Sequence, residues 1–168
     1  MSDRNIGKRD FLGLAGCGAV GLVLWNSAVP ARSAGTFEVT KTDAQWRRQL
    51  GPQRFAVLRR AATERPGSSA LLKEHRRGAY TCAGCGLPLF TSAMKFNSGT
   101  GWPSFFTTIP GAFASKTDYK IIYPRTEYHC ARCGGHHGHV FDDGPPPTRQ
   151  RYCNNGVALK FIPKSGKA

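Results

Sequence analysis

Tyr80-Thr81-Cys82-Ala83-Gly84-Cys85-Gly86 and Cys130-Ala131-Arg132-Cys133-Gly134-Gly135 are the stretches on which the fold turns. A Cys-x-x-Cys turn aims two thiols at one point. Two such turns complete a tetrahedral cage of sulfurs suited to Zn²⁺. The glycines supply the tight backbone that these turns need. A closed four-thiolate site leaves no position open for substrate and therefore reads as structural, with one metal per chain. Two other uses fit the same four residues. One is a pair of disulfides, which an oxidising compartment favours. The other is redox chemistry by a single Cys-x-x-Cys, against which the duplicate turn speaks.

Outward from the knuckles the chain divides into two textures. Before Gly78 it reads as helical. Thr42-Asp43 offers an N-cap ahead of Ala44-Gln45-Trp46-Arg47-Arg48-Gln49-Leu50, and Pro52 suits the first turn of a second helix over 53–62. Phe55, Leu58 and Ala62 share one face of that helix, and Leu71 to Arg76 reads as a short helical turn. After Gly78 the segments are short, aromatic or β-branched, and punctuated by Gly and Pro. Ala79-Tyr80-Thr81, Lys120-Ile121-Ile122-Tyr123, Thr126-Glu127-Tyr128-His129, His139-Val140-Phe141 and Val157-Ala158-Leu159-Lys160-Phe161 read as strands. The expectation is a helical entry followed by antiparallel sheets, in one domain.

The first 31 residues read as an export signal. Arg4, Lys8 and Arg9 precede an uncharged run from Phe11 to Ala31 that closes on Val29-Pro30-Ala31. Lys8-Arg9-Asp10-Phe11-Leu12 resembles a twin-arginine signal with lysine in first place. The expectation is cleavage near Ala31, a linker over 32–41, a catalytic domain over 42–165, and a periplasmic or otherwise exported protein. Two other readings fit: Leu14-Ala15-Gly16-Cys17 matches a lipoprotein box that would acylate Cys17, and the segment just reaches the length of a membrane anchor. The whole chain carries a formal charge of +14. This surplus suits anionic partners or solubility alone, and its basic residues are dispersed rather than gathered in one run.

With Cys17 in the leader and four thiols in the knuckles, Cys153 stands alone in Arg151-Tyr152-Cys153-Asn154-Asn155. In an extended segment Arg151, Cys153 and Asn155 share one face. A cation two residues away lowers a thiol's pKa and favours the thiolate, and Asn155 offers a donor to a substrate oxygen. A buried structural cysteine is the plain alternative, but such cysteines usually have apolar flanks. Upstream, His136-His137-Gly138-His139 reads as a source of general acid, as a second metal site lacking obvious partner ligands, or as surface histidines in a Gly-rich turn. Trp102, in Gly99-Thr100-Gly101-Trp102-Pro103-Ser104, walls a pocket for a small apolar group or serves as a core aromatic.

Together these pieces resemble the B-type peptide methionine sulfoxide reductases, which act on the R epimer. The likeness runs from about Thr42 to Pro163 through Trp46-Arg47-Arg48-Gln49-Leu50, Thr63-Glu64-Arg65-Pro66, the first knuckle with Gly86-Leu87-Pro88-Leu89-Phe90, Lys95 to Phe105, Arg125-Thr126-Glu127, Gly138 to Thr148, and Arg151-Tyr152-Cys153. The resemblance implies that Cys153 is the nucleophile. It makes His139 the proton donor beside His136, with Arg151 and Asn155 orienting substrate and supporting the thiolate. It places Trp102 on the substrate methyl group and Cys82, Cys85, Cys130 and Cys133 on a structural Zn²⁺. The implied fold is two antiparallel sheets forming a tent-like barrel, with short N-terminal helices. The implied reaction repairs oxidised methionine, free or in proteins, leaving a Cys153 sulfenic acid that a thioredoxin-like protein or other dithiol reduces; a monomer is expected.

Thr100 stands where many members of that family carry a resolving cysteine, so a one-cysteine enzyme is expected. His137 stands where leucine is common and would make the pocket more polar, while Asn154 replaces an apolar residue and Gly156 a serine. Two competing classes are a zinc-knuckled nucleic-acid-binding module, against which an export signal speaks, and a metal-carrying envelope protein that uses the histidines. The first of these predicts clustered Lys/Arg on one face and no role for Cys153.

Overall fold

The computed structural model describes residues 37–120 and 123–165; the proposed leader and the first half of the linker lie outside them. Helix α1 (Asp43–Arg60) begins as its sequence requires. The Thr42 hydroxyl accepts from Gln45 N, and the Gln45 side chain returns a bond to Thr42 N at 2.8 Å, a reciprocal capping box. As the sequence predicts, the helical stretch is broken ahead of Pro52: two helical segments meet at Gly51, whose backbone leaves the helical region (φ 69°, ψ 175°). Proline removes a helical N–H and crowds the preceding turn. Glycine absorbs the left-handed φ beside it without a Cβ clash. The apolar face of the helix buries Trp46, Leu50, Phe55, Val57 and Leu58.

Nine strands follow among the described residues: β1 (Gly78–Cys82), β2 (Pro88–Thr91), β3 (Lys95–Phe96), β4 (Ser104–Phe105), β5 (Phe113–Asp118), β6 (Arg125–Cys130), β7 (His136–Phe141), β8 (Arg151–Asn154) and β9 (Leu159–Pro163). All described pairings are antiparallel. They form a three-stranded sheet of order β2-β1-β9 and a six-stranded sheet of order β3-β4-β8-β7-β6-β5. The mainly β architecture with two antiparallel sheets is as expected, but the barrel is not. Closure requires every edge strand to find a partner, and β2 and β9 do not pair with β3 or β5, so both sheets stay open. Packing joins them instead. Phe90 of β2 stacks on Phe105 of β4 with ring centroids 3.9 Å apart, and Tyr80 of β1 meets the same ring edge-on at 5.0 Å. All three residues are fully buried.

Two expected strands differ. Lys120 and Tyr123 lie in bends, and residues 121 and 122 fall outside the described residues. The Asp118 carboxylate accepts from Lys120 N at 2.9 Å, turning the chain as short acidic side chains do. Val157 and Ala158 belong to a 3₁₀ turn, Gly156–Ala158, rather than to β9. Their segment cannot join the ladder because the buried Glu64 carboxylate takes the Gly156 and Val157 N–H groups.

Candidate active site

Cys153 sits on β8 between two neighbours, directly opposite Ser104 of β4 and His139 of β7. Residues directly opposite one another across antiparallel strands share a face, so register sets thiol and imidazole side by side. Gly138 makes this approach possible: a β-carbon there would overlap the Cys153 carbonyl oxygen. The histidine run therefore needs its glycine to let β7 close on β8.

A cavity of about 160 Å³ opens over this row. Cys153 and His139 line it with Trp102, Thr63, Arg125 and Phe141. Ligand pockets usually run to about 300–1,000 Å³, so this one admits a side-chain-sized group rather than a nucleotide or a large cofactor. Trp102 is fixed as a wall, its indole N–H donating to the Glu64 carbonyl at 3.1 Å. The 63–67 segment is locked in turn to the reactive strand and the Trp102 loop, through Glu64 N donating to Asn155 Oδ1 at 3.0 Å and Gly67 N donating to Gly101 O at 2.7 Å.

Burial pushes the Cys153 thiol above its ordinary value. The Arg151 charge and hydrogen bonds from Thr100 and Arg151 pull it down, but burial prevails. The cation expected to activate the thiol is thus present but spends its fork elsewhere. Arg151 Nε and one terminal nitrogen grip both Asp143 oxygens at 2.7 and 2.8 Å, and the guanidinium lies over Phe141 at 4.3 Å.

Both candidate acids are backed by buried carboxylates. His139 Nε2 lies 2.7 Å from Asp118 Oδ2, and Arg125 reaches the same oxygen at 2.8 Å. The Lys120 N–H, His139 and Arg125 together hold the Asp118 carboxyl well below the usual range. His136 Nδ1 lies 2.9 Å from Glu127 Oε1; burial lowers the His136 pKa against the pull of that carboxylate. His136 stands behind His139, ring centroids 5.6 Å apart, and is not part of the cavity wall.

Two sequence-based placements change. Asn155 lines the cavity, but its amide is engaged with backbone: Nδ2 donates to the His137 carbonyl at 3.0 Å while Oδ1 takes Glu64 N. It clamps the end of β8 more directly than it offers a donor. His137 does not make the pocket polar. It is fully buried on the opposite face, between Phe113 and Tyr128. Asn154 also points away from the site, accepting from the Tyr128 hydroxyl at 2.9 Å. Asp118, Arg125, Glu127, Thr63, Glu64 and Asp143 had no role assigned from the sequence. Thr63, Glu64, Arg125, Glu127 and Asp143 lie within the motifs quoted, but nothing local to Asp118 signals its partner on β7.

The knuckles meet as expected. Cys82, Cys85, Cys130 and Cys133 bring their sulfurs within 4.8 Å of one another. All four are free thiols, with Cys82–Cys133 and Cys85–Cys130 sulfur separations of 3.7 and 3.5 Å. A tetrahedral ion with bonds of about 2.3 Å sets ligand sulfurs about 3.8 Å apart, so the cluster fits such a metal without rearrangement and disfavours the two-disulfide alternative. Cys82 ends β1 and Cys130 ends β6, so the cluster ties the two sheets together. Helix α1 covers it: Gln49 donates to the Gly84 carbonyl at 2.6 Å and Arg59 to the Cys133 carbonyl at 2.9 Å.

Residues 50–163 match the SelR domain. The chain is 48% identical over 132 residues to the peptide methionine sulfoxide reductase MsrB of Leifsonia xyli subsp. xyli, covering 77% of this chain and 95% of that protein. It is 52% identical over 128 residues to the protein of the same name from Bradyrhizobium diazoefficiens, covering 76% and 92%. Among solved structures, the Mis18 'Yippee-like' domain aligns with 54% of this chain at 15% identity and a TM-score of 0.43.

Proposed function

The chain belongs to the B-type peptide methionine sulfoxide reductases, and we propose that it reduces the R epimer of methionine sulfoxide, free or in proteins, with Cys153 as nucleophile. The observation that carries this reading is the side-by-side placement of Cys153 and His139 at the base of a cavity of about 160 Å³ walled by Trp102. The cavity takes one methionine side chain, with the indole against its methyl group.

Burial keeps the resting thiol protonated, so the reaction balances without an outside proton. Cys153 sulfur attacks the sulfoxide sulfur and forms an S–S bond, its proton passes to His139, and His139 delivers a proton to the sulfoxide oxygen. The S–S bond and the substrate S–O bond then break as the oxygen bonds to the Cys153 sulfur. The thiol is oxidised to a sulfenic acid while the sulfoxide is reduced to the thioether. A dithiol, thioredoxin-like in the proposed setting, then restores the thiol and releases water. Arg151, held by Asp143, supports negative charge on Cys153, and Asn155 fixes the end of the reactive strand. The cysteine cluster holds a structural Zn²⁺, which ties the sheets together and takes no part in the chemistry. The proposed enzyme is a monomer exported through the leader at 1–31, serving protein repair under oxidative stress in the periplasm.

A coupled assay with dithiothreitol, run on separated R and S epimers for wild type and Cys153→Ser, tests the assignment. Activity on the R epimer alone, lost in the variant, is expected, and an active variant would overturn the role of Cys153. After one turnover without reductant, mass spectrometry should show one added oxygen on Cys153. A disulfide to Cys153 would instead refute the one-cysteine cycle.

A further inference from the structure

We propose that Asp118 is the positioning residue of the proton-transfer step: it grips His139 through Nε2, so that Nδ1 is the ring atom that serves the sulfoxide oxygen. The inference rests on the reading of His139 as the proton donor and specifies how that donor is held.

Asp118 is the last residue of β5, opposite Arg125 in register. It is 6% exposed and lies outside the cavity wall, so it acts through its neighbours rather than on substrate. A buried carboxylate is costly unless its oxygens are satisfied, and each oxygen here has a defined donor. Oδ1 accepts from Lys120 N at 2.9 Å; Oδ2 is shared by Arg125 at 2.8 Å and His139 at 2.7 Å. An ionised carboxylate only accepts hydrogen bonds, so the hydrogen of that pair must sit on Nε2. No described residue bonds to Nδ1, and His139 lines the cavity. Nδ1 is therefore left for the substrate, and it becomes a donor when the ring carries its second proton. The Asp118 charge then faces the imidazolium and offsets it, while the short contact prevents the ring from turning its other nitrogen inward.

His136 is held in the opposite sense. Its Nδ1 is bound by Glu127 while it remains buried behind His139. The two imidazoles thus differ in which atom is engaged, and only His139 opens on the cavity. Arg125, tied to the same Asp118 oxygen, is fixed in the wall by the same contact, which couples donor orientation to pocket shape.

The test uses the full chain with its metal. ¹⁵N spectra of histidine-labelled wild type, with His139 assigned by its loss in His139→Gln, should show hydrogen on Nε2 and a bare Nδ1 in the neutral ring. The opposite tautomer overturns the proposal and requires no Asp118 variant to be folded. In single-turnover reduction of R-sulfoxide without reductant, Asp118→Asn should slow methionine release by about 10–100-fold, the usual cost of removing a partner that orients a catalytic imidazole. KM should change little, and Asp118→Glu should recover part of the rate. An unchanged rate in Asp118→Asn, or a loss confined to KM, also overturns it. A wild type inactive on R-sulfoxide would instead sink the underlying functional reading, so the two failures are distinguishable.

Discussion

Replacing His137 with leucine should stabilise the protein and relieve part of its acid sensitivity. The imidazole is completely buried and neither ring nitrogen has a hydrogen-bond partner among the described residues. Asn154 lies beside it and partly opposes the fall in the His137 pKa, but its amide gives neither ring nitrogen a bond of hydrogen-bond geometry: Nδ2 donates to the Asn155 carbonyl and Oδ1 accepts from the Tyr128 hydroxyl. An unsatisfied buried polar group costs about 1–3 kcal/mol. Leucine removes that cost at similar volume but forfeits the ring's contacts with Phe113 at 5.3 Å and Tyr128 at 6.4 Å, worth about 0.5–1.5 kcal/mol. The net gain near neutral pH is therefore about 1 kcal/mol, which is roughly 2–4 °C in Tm for a chain of this size. Burial lowers the His137 pKa from 6.5 to about 3. Between those values the unfolded chain binds the proton and the folded one does not, so stability falls as pH drops from 6.5 toward 3. At 1.36 kcal/mol per unit, the loss by pH 4.5 is roughly 2–3 kcal/mol, and His137→Leu abolishes it. Urea unfolding of metal-loaded wild type and variant at pH 7.5 and pH 4.5 should show the variant ahead at both and further ahead in acid. A variant no more stable at pH 7.5, or a gap that does not widen at pH 4.5, would refute the account of His137 as an unpaired core imidazole.

Chelating the metal, or Cys133→Ser, should collapse the tie between β1 and β6. Because the metal-binding energy of such sites is folding energy, the expectation is loss of cooperative thermal unfolding together with one zinc per chain by elemental analysis; a cooperative melt unaffected by chelation would count against a structural metal. Alkylation of Cys153 by iodoacetamide should be slower than that of a free thiol at pH 8 and still be rising above pH 9, since burial raises its pKa; Arg151→Met should slow it further, and a rate already level by pH 7 would contradict the buried-thiol picture. Trp102→Ala removes the wall of the cavity, and at about 0.8 kcal/mol per buried methyl-sized group kcat/KM for R-sulfoxide should fall at least about 4-fold while alkylation of Cys153 persists.

The sequence by itself determined whatever depends on residues near one another along the chain. Two Cys-x-x-Cys turns announce a four-sulfur cluster because the spacing alone aims the thiols. Thr42 and Gln45 announce the helix start because a capping box closes within one turn. Alternation along Arg151–Asn155 sent Tyr152 and Asn154 toward the core and left Cys153 on the cavity side, and long motif strings carried the family. Only the tertiary structure decided what lies across strands. Register on β7 and β8 joined His139 to Cys153, and a strand end two positions away in the sheet brought Asp118 beneath the imidazole. The same packing turned His137 into the core, tied up the Asn155 amide and left the sheets open. A single-residue shift in strand pairing reverses which face a side chain occupies, and that choice is set by partners far away in sequence, competing for the same hydrogen bonds and the same buried space.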